Sequence, residues 1–516
     1  MAPDELKNYI RSSLAKGENL NEISKNLIDN GWLETDILEA LNKLGITNSK
    51  PTRGSEGFFA LLIVIILMLG ASTFYLWNNK INLADTNSKK VQEFYTKLSD
   101  SQVAFTDAGE MVLPDEQKFL TQKDTYIKEG TDFIEANLRT MKLKLYSAGK
   151  EINTLDIQSK GKKDSWWQTP TGDYNILSKE INHFSSIGHV WMPYSMKFYG
   201  NYFIHGWPYY DDGTPVSKTY SGGCIRMKDE DAKIVFDFAK NGMPLLVLED
   251  QENETFGNLI KSNTNSPLPN ITAESFLISN LATGENIIEK NSEKQLPIAS
   301  LTKLMTAVVA HEIVYLGKQV KDIYPTSTST GFSPQMGKYY SGFDLLFPLL
   351  MQSSNDSAKI LASFIGEKTF ITNMNEKANS LSMNDSNFAD SSGIDNENLS
   401  SAKDIKKLLN YIFYKRHFIF DITKGIVPKN SGLVEVGDTI GILSLENFNE
   451  FSDNLELIGM KNGETTVAKQ TMASVWNIKT PSGNVPISII VLGSENRKLD
   501  TENLLNWIKN NYIVSI

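Results

Sequence analysis

Cysteine is nearly absent from this sequence, since Cys224 is the only one among 516 residues. A lone thiol cannot form a disulfide within the chain, so folding does not depend on oxidation. Histidine is scarce as well, with five in all. His183 and His189 could join Cys224 in a metal site, but no carboxylate or second cysteine falls at ligand spacing beside them. We therefore expect no metal site, and a free thiol remains to be explained.

A surplus of positive charge is absent too. The chain has 51 lysines and arginines against 61 aspartates and glutamates, a formal net charge of -10 at pH 7. No basic stripe is visible, so nucleic acid is not expected as a partner. The hydrophobic share of 41% and the charged share of 22% are ordinary for globular protein. The length exceeds that of a single hydrophobic core, which predicts two large domains and smaller pieces.

Long apolar runs are also missing, with one exception. Residues 57–77 read GFFALLIVIILMLGASTFYLW, carry no charge, and are long enough at about 1.5 Å per residue to cross a bilayer of about 30 Å. No small-residue cleavage site follows this run, so it predicts a retained transmembrane helix, with a buried core helix as the alternative. Lysines flank both sides, so the positive-inside rule does not orient the helix.

Composition and apolar spacing divide the rest of the chain. Leucine and isoleucine recur at helical spacing before the apolar run, which indicates a small module that either binds an unknown partner or acts as a structural cap. After the run comes a polar segment, then a segment with strand-like patterning, then a second polar segment. The remainder has the pattern of strands alternating with strongly apolar helices. The predicted segments are a three-helix module at 1–46, a helical stalk at 86–130, a strand-rich domain at 131–250, a linker at 251–271 and a domain of strands and helices at 272–516.

A base near the lone cysteine would make it a nucleophile. His205 lies nineteen positions before Cys224 at the end of an aromatic strand, where an adjacent strand could bring the two side chains together. Gly222 and Gly223 leave backbone amides beside the sulfur free to face a developing oxyanion. Arg226 could hold a substrate carboxylate. The alternative is that Cys224 is simply a small buried hydrophobe.

The surroundings of this pair resemble the catalytic domain of bacterial L,D-transpeptidases. Four stretches carry the resemblance in order, namely TPTGDYNI, WMPYSMKFYG, IHG and YSGGCIRMKDEDAKIVFDF, within residues 131–250. The resemblance implies a β-rich domain in which Cys224 is the nucleophile and His205 the general base. Gly222 departs from the family pattern, which usually reads Ser-His-Gly-Cys. That departure bears on activity or on the orientation of the site more than on the fold.

A second nucleophile is indicated by the stretch SLTK, in which Ser300 and Lys303 share one face of a helix. The residues LMTAVVA follow, so this helix is apolar nearly all round and must be buried. A buried lysine loses solvation, which lowers its pKa and allows it to act as a base. The spacing alone is not specific, because it also occurs at Ser13 with Lys16 and at Ser400 with Lys403.

Two further short stretches follow in order. QSSN offers Ser353 as a proton shuttle and Asn355 as an amide that holds the substrate backbone. KNG offers Lys461 as a positive charge, beside Gly463, where substrate backbone can lie close. Either of these short stretches on its own is commonly part of a solvated loop.

These stretches, together with FADSSGIDNENLSSAKDI and SIIVLGSENRKLDTENLLNWI, resemble the serine D-alanyl-D-alanine carboxypeptidases, the low-molecular-mass penicillin-binding proteins. The likeness runs over residues 272–516. Asn462 stands where this family normally has threonine, whose hydroxyl helps to bind the terminal carboxylate. Since an amide can still donate a hydrogen bond, the departure predicts weakened or altered catalysis.

The two resemblances together imply an architecture and a place in the cell. The expected fold is multidomain, with a small all-α module, one transmembrane helix, a β-rich L,D-transpeptidase domain and an α/β (α+β) penicillin-binding or β-lactamase-like domain. Both enzyme families act on peptidoglycan outside the cytoplasm. We therefore expect a single-pass protein of the bacterial cell membrane, with both catalytic domains extracytoplasmic and residues 1–56 in the cytoplasm.

The implied function is bifunctional. A serine carboxypeptidase would trim pentapeptide stems, and a cysteine transpeptidase would use the resulting tetrapeptide as acyl donor, with no metal or organic cofactor and with β-lactams as covalent inhibitors. Two alternatives remain open. One is a wall-binding scaffold with one or both sites inactive, and the other is L,D-carboxypeptidase hydrolysis at Cys224.

Overall fold

The computed structural model describes residues 10–13, 23, 41, 44, 114–162, 168–186, 188–217, 221–249, 256–257, 259–261, 266–314, 319–322, 331–426, 440, 444–480 and 483–513. The predicted transmembrane helix at 57–77 lies outside them, as does most of the predicted three-helix module. The chain divides into two compact units, Met1–Val103 and Ala104–Ile516. In the first unit, residues 10–13, 23 and 41 are helical. Within the described residues, no helix combines the length and apolar character that a membrane span requires.

The second unit contains the elements that position the candidate sites. Its described helices are α1 (Pro114–Glu129), α2 (Asp229–Phe238), α3 (Thr302–Ile313), α4 (Gly342–Met351), α5 (Asn355–Ser363), α6 (Glu367–Ser380), α7 (Ala402–Lys415), α8 (Phe418–Thr423) and α9 (Arg497–Asn511). Its described strands are β1 (Phe133–Asn137), β2 (Lys142–Ser147), β3 (Lys150–Asp156), β4 (Gly172–Asn175), β5 (Ser178–Ser185), β6 (Val190–Tyr199), β7 (Tyr202–His205), β8 (Ile225–Arg226), β9 (Pro244–Leu248), β10 (Ile260–Lys261), β11 (Ser275–Asn280), β12 (Asn286–Lys290), β13 (Leu296–Pro297), β14 (Gln319–Lys321), β15 (Tyr339–Ser341), β16 (Leu399–Ser400), β17 (Leu457–Thr465), β18 (Lys469–Thr480), β19 (Gly483–Ser494) and β20 (Tyr512–Ile513).

Residues 131–249 form a β-rich part, here called the cysteine domain. One sheet has the strand order β3-β2-β1-β9-β4 and a second has the order β5-β6-β7-β8. Strand β1 is buried on both faces because its alternate side chains meet different partners. Ile134 faces the main core, whereas Phe133 packs with Phe119 and Tyr126 of α1. The part of the predicted stalk that is described is therefore a helix packed on this sheet, because its aromatic residues cover an apolar face.

Residues 272–513 form the serine domain, built on an antiparallel sheet of order β12-β11-β19-β18-β17. Helix α9 covers one face, where Leu504 and Ile508 pack with Ile487 and Ile489. The opposite face carries Ile490, which belongs to the same core as α3 and α7. Since both faces are covered, β19 reads as a nearly continuous apolar run. Helix α3 is buried at all twelve positions, as its composition predicts.

The two domains share one continuous hydrophobic core and a buried ion pair, in which Lys415 of the serine domain lies 2.9 Å from Glu249 of the cysteine domain. Glu312 of α3 lies 3.1 Å from Lys377 and 2.8 Å from Arg416. Lys377 also donates to the hydroxyl of Tyr174, in the cysteine domain, at 3.2 Å. Burial alone would raise the pKa of Glu312, but Lys377 and Arg416 hold it below its ordinary value. Breaking one partner of such a pair would leave a buried charge uncompensated. The Glu312 pairs lie within the serine domain, and Lys377 links them to the cysteine domain through its hydrogen bond to Tyr174.

The predicted linker at 251–271 is tied to the serine domain at the positions that the structure describes. Strand β10 within it pairs with β20 near the end of the chain. The amide of Gly257 donates to the carbonyl oxygen of Asn484 at 3.0 Å. These described positions are therefore packed against the serine domain rather than forming a free spacer.

Candidate active sites

The first candidate site lies at the start of α3. Ser300 is half-buried in a 3₁₀ turn, Ala299–Leu301, that leads directly into the helix. Ala299 has a φ of 50°, a left-handed conformation that the surroundings must hold in place. Gly393 approaches this turn so closely that a Cβ atom there would lie 2.0 Å from the carbonyl oxygen of Ala299. Glycine at that position therefore allows the turn to present Ser300.

Lys303 brings its amine to three oxygen atoms. Its Nζ lies 2.9 Å from Oγ of Ser300 and 2.8 Å from Oδ1 of Asn355, and it also contacts the carbonyl oxygen of Ser392. The side chain is completely buried because α3 is surrounded by core. This burial lowers the pKa of Lys303 to about 7, although Asp390 acts in the opposite direction.

The three contacts determine what the amine does in each protonation state. As an ammonium, Nζ donates a hydrogen bond to all three oxygens. As a neutral amine it keeps two hydrogens and gains a lone pair. Donation to Asn355 and to the carbonyl of Ser392 then leaves the lone pair facing Ser300. Neutral Lys303 is thus arranged to accept the hydroxyl proton of Ser300.

The acylation rate of Ser300 is expected to rise with pH through a midpoint near pH 7. The reason is that burial lowers the pKa of Lys303 to about 7 and only the neutral amine accepts a proton. The measurement is the second-order rate of penicillin acylation between about pH 5 and pH 9. A rate that is flat or falling across that range would show that Lys303 is not the base.

The QSSN stretch contributes Asn355, whose side chain has a hydrogen-bond partner, and Ser353, whose hydroxyl has none among the described residues. Asn355 begins α5, and its Oδ1 accepts from Lys303, so only its amide nitrogen is left for a substrate backbone. Ser353 is half-buried with a φ of 59°, and in the described part of the chain its hydroxyl makes no hydrogen bond. A strained residue of this kind is held by its surroundings and often occurs at functional sites. The shuttle role of Ser353 stays a prediction.

Strand β17 brings the KNG stretch against the Ser300 turn. A Cβ atom at Gly463 would lie 2.6 Å from the backbone nitrogen of Ser300, so glycine is required here for the approach of two parts of this chain. Lys461 is completely buried and donates to the carbonyl oxygen and Oδ1 of Asn462, at 2.9 and 3.1 Å. Burial, with the nearby charge of Lys303, holds the pKa of Lys461 well below its ordinary value. A substrate carboxylate would supply the negative charge that favours its ammonium form.

Both polar atoms of the Asn462 side chain make hydrogen bonds. Its Nδ2 donates to the carbonyl oxygen of Phe448 at 3.2 Å, and its Oδ1 accepts from Lys461. The sequence predicts that this amide donates to substrate, and in the structure one of its two N–H groups is already engaged by Phe448. Binding through Asn462 would therefore use the second N–H group or require the contact with Phe448 to break.

Replacing Asn462 with threonine is expected to raise the rate of D-alanine release from a pentapeptide by roughly threefold to tenfold, the effect of about one hydrogen bond. The threonine hydroxyl would be free of Phe448 and Lys461 would lose a competing acceptor. The measurement is kcat and KM for D-alanine release, with Asn462→Ala as the control that removes both contacts without adding a hydroxyl. Equal rates for the threonine and alanine variants would contradict this role.

The second candidate site lies where β7 and β8 pair in parallel. His205 is opposite Arg226 in this register, so Cys224, which directly precedes β8, lies level with Phe203 and on the same face of the sheet as Arg226. Cys224 is half-buried and packs against Phe203. Cys224, His205 and Arg226 line one pocket. The sulfur is therefore neither sealed in the core nor remote from the imidazole.

The sulfur and the imidazole are both neutral in this arrangement. Sγ of Cys224 lies 3.7 Å from the carbonyl oxygen of Asn201, to which the thiol donates. Burial raises the pKa of the Cys224 thiol to about 11, although the backbone amide of Phe203 and the charge of Arg226 act to lower it. Burial lowers the pKa of His205 to about 3. The thiol thus keeps its proton until a reaction begins.

The tautomer of His205 suits a base. Its Nδ1 lies 2.6 Å from the carbonyl oxygen of Gly206, so Nδ1 carries the hydrogen and Nε2 is left to accept a proton. Among the described residues, no hydrogen bond joins this imidazole to the sulfur of Cys224. Catalytic hydrogen bonds are often long or unformed until substrate is bound. His205 and Cys224 thus line one pocket without a hydrogen bond between them in the described part of the chain.

The glycines beside the cysteine differ in availability. The amide of Gly223 donates to Oγ of Ser221 at 3.0 Å, so the predicted oxyanion role requires this bond to break. Gly222 is exposed and lines the pocket, at the position where the related family has histidine. The guanidinium of Arg226 lies 5.7 Å from the ring centre of Trp207, and burial lowers the pKa of Arg226. Its predicted carboxylate-binding role stays a prediction.

Two features of these sites could not be assigned from the sequence. The carbonyl of Ser392 contacts Lys303 because Asp390 accepts from the amides of Ser392 and Gly393 and thereby folds the turn. The letters Asp-Ser-Ser-Gly are a turn signal that could have indicated this fold. The carbonyl oxygen of Asn201 accepts the hydrogen bond of the Cys224 thiol because β6, β7 and β8 lie side by side. No local sequence pattern reveals that pairing. Among the described residues, no cluster of histidine, cysteine and carboxylate side chains suits a metal.

A serine with a buried lysine beside it and a cysteine that shares a pocket with a histidine are two arrangements suited to acyl transfer. Comparison with known families agrees. Residues 261–496 match the family model described as D-alanyl-D-alanine carboxypeptidase, and residues 131–247 match the model described as L,D-transpeptidase catalytic domain. The fusion that the sequence resemblance predicted is confirmed, and the chain carries a domain of each family.

Individual relatives match the serine domain. The D-alanyl-D-alanine endopeptidase of Escherichia coli is 28% identical over 264 residues, which cover 49% of this chain and 82% of the relative. The D-alanyl-D-alanine endopeptidase of Pseudomonas aeruginosa is 26% identical, over 48% of this chain and 80% of its own length. A solved structure of the D-alanyl-D-alanine carboxypeptidase of Mycobacterium tuberculosis has a TM-score of 0.40 and 21% identity, over 50% of this chain and 100% of that chain.

Proposed function

We propose that this protein is a bifunctional peptidoglycan enzyme that trims stem peptides at Ser300 and transfers acyl groups at Cys224. The observation that carries the proposal is the position of the buried Lys303 amine, 2.9 Å from the hydroxyl of Ser300. A lysine whose pKa burial lowers to about 7 exchanges protons readily near neutral pH, which suits a general base. The family of each domain supplies the substrate class.

At the serine site, Oγ of Ser300 loses its proton to neutral Lys303 and bonds to the carbonyl carbon of the penultimate D-alanine. Lys461 holds the terminal carboxylate, and the amide of Asn355 holds the peptide backbone. The bond to the terminal D-alanine nitrogen breaks, and that nitrogen leaves with the proton, which Ser353 relays. Water then hydrolyses the ester, which releases a tetrapeptide and restores the serine.

At the cysteine site, the thiol proton of Cys224 passes to Nε2 of His205 as Sγ bonds to the carbonyl carbon of the third stem residue. D-alanine leaves with the proton, and Arg226 holds a carboxylate of the stem. An amine of a neighbouring stem then attacks the thioester, which forms the crosslink and restores the thiol. If water attacks instead, the product is only a shortened stem.

Fusion of the two sites has a physical advantage. The product of the first site is the acyl donor of the second, so their joining raises the local concentration of that intermediate. The shared core and the buried ion pair between Lys415 and Glu249 hold the domains in one compact unit, which supports action on the same region of the wall.

We also propose that residues 57–77 anchor the chain in the bacterial cell membrane as a single span. The substrate lies outside the cytoplasm, so both domains would be external, and residues 1–56 would face an unknown cytoplasmic partner. Protease added to intact spheroplasts should then digest residues 131–516 and spare residues 1–56. Protection of the catalytic domains until the membrane is lysed would rule this orientation out.

The test of the chemistry is muropeptide analysis of purified wall treated with the full chain. Loss of terminal D-alanine from pentapeptides and the appearance of 3-3 crosslinked dimers are expected. Because two relatives are named endopeptidases, cleavage of existing 4-3 crosslinks is a second candidate activity for the serine site. Tripeptide monomers without new dimers would assign hydrolysis to Cys224, and an unchanged wall would refute the proposal.

A further inference from the structure

The pocket around Cys224 has walls from both domains. The cysteine domain contributes Cys224, His205 and Arg226. The serine domain contributes the end of α3 and the residue that follows it, namely His311, Glu312, Ile313 and Val314. Of these four, His311 is buried and Glu312 is paired with Lys377 and Arg416, while Ile313 and Val314 form the aliphatic part of the pocket lining.

Ile313 is linked to Cys224 through contacts of the turn between β6 and β7. A Cβ atom at Gly200 in this turn would lie 2.9 Å from Cγ1 of Ile313, so the turn approaches the helix as closely as glycine allows. The next residue, Asn201, donates from Nδ2 to the carbonyl oxygen of Ile313 at 3.2 Å. The carbonyl oxygen of the same Asn201 accepts from the thiol of Cys224 at 3.7 Å. One residue thus connects the reactive sulfur to the serine domain.

Helix α3 is a firm support for this contact. All twelve of its residues are buried, and Glu312 is held by two cations. A close-packed helix of this kind transmits strain and moves little. The same helix begins beside Ser300 and ends at Ile313, so it reaches from one candidate site to the other.

We propose that Ile313 of the serine domain is a positioning and specificity-determining residue of the cysteine site, where it forms an aliphatic wall and holds the Asn201 turn against the thiol. The wall limits the size of what reaches Cys224. Its relevance to acyl donors rests on the proposed function, whereas the wall itself rests on the contacts of Gly200, Asn201 and Ile313.

The test uses Cys224 as its own probe, because it is the only cysteine in the chain. The full chain is alkylated with small iodoacetamide and with bulky fluorescein maleimide, and each rate is measured against pH. In Ile313→Ala, removal of the wall should raise the ratio of the bulky to the small rate by roughly fivefold or more. Water entering the pocket should also move the midpoint of alkylation to lower pH, since burial raises the pKa of the Cys224 thiol.

Three further variants make the outcome decisive. Ile313→Val keeps the wall and should behave as the parent, while Asn201→Ala keeps Ile313 but releases the turn and should lower the pH midpoint. Val309→Ala, on the same helix but away from the pocket, controls for general loosening and should leave both readouts unchanged. If Ile313→Ala does not fold, Asn201→Ala decides alone.

A rate ratio within about twofold of the parent in Ile313→Ala, together with an unchanged pH midpoint in both Ile313→Ala and Asn201→Ala, would overturn the inference. An equal effect of Val309→Ala would overturn it as well, because the change would then reflect loosening of α3. Alkylation requires no peptidoglycan substrate, so this result is independent of the muropeptide assay. If the muropeptide assay fails but alkylation of Cys224 still depends on reagent size, the enzyme function is refuted and the wall formed by Ile313 stands.

Discussion

Acylation of Ser300 by a penicillin is expected to slow by roughly 10²- to 10⁴-fold when Lys303 is replaced with methionine. Methionine has a similar volume and fills the buried space without a charge, so the fold should be kept. The variant loses the only amine within hydrogen-bonding distance of the Ser300 hydroxyl among the described residues. The measurement is the time course of labelling by a fluorescent penicillin, with Ser300→Ala as the variant that should give no adduct.

Lys403 offers a matched control for Lys303. It stands three positions after Ser400, the same spacing, but its Nζ lies 2.7 Å from Glu293 and not at a serine. Lys403→Met should therefore label at the parent rate. If Lys303→Met also labelled at the parent rate, another group would have to remove the proton of Ser300, and the mechanism proposed for this site would be wrong.

Acylation of Cys224 by a carbapenem is expected to fall by roughly 10²- to 10⁴-fold in His205→Gln. Glutamine can still donate to the carbonyl of Gly206, so the backbone contact is kept, but it offers no nitrogen that accepts a proton. With the pKa of the Cys224 thiol raised to about 11 by burial, little thiolate exists near neutral pH, so the proton must pass to an acceptor as Sγ attacks. The measurement is adduct formation followed by intact mass.

His183 provides the control for this second variant. It stacks on Phe203 in the same sheet, with ring centres 4.7 Å apart, and its Nδ1 lies 2.9 Å from Glu180. His183→Gln should keep most of the rate because this side chain does not line the pocket. A loss in His183→Gln as large as in His205→Gln would mean that damage to the sheet, and not loss of a base, accounts for both.

The parts of these sites that the sequence predicts are those set by local pattern. The spacing of Ser300 and Lys303 on an apolar helix predicts both their contact and the burial of the lysine, because a helix places i and i+3 on one face. The strand before His205 and the glycines before Cys224 likewise predict neighbouring strands, and β7 and β8 do pair.

The parts that the sequence does not predict depend on contacts between distant segments. The bond from Asn462 to Phe448 and the bond from Gly223 to Ser221 occupy donors that local reasoning leaves free for substrate. The approach of Ile313 to the cysteine pocket depends on how two domains pack, and no periodicity in either domain encodes it. The helix at 114–129 packs on a sheet because Phe119 and Tyr126 contact apolar side chains of that sheet. The polar average composition of the segment does not reveal this contact.

The most direct measurement is the intact mass of the full chain after joint treatment with a penicillin and a carbapenem, followed by peptide mapping. Two working nucleophiles predict a serine ester at Ser300 and a thioester at Cys224 on the same molecule. The ester should be lost in Ser300→Ala and the thioester in Cys224→Ala, each without loss of the other. A correctly folded chain with no adduct at either residue would contradict an acyl-transfer function and favour a wall-binding scaffold.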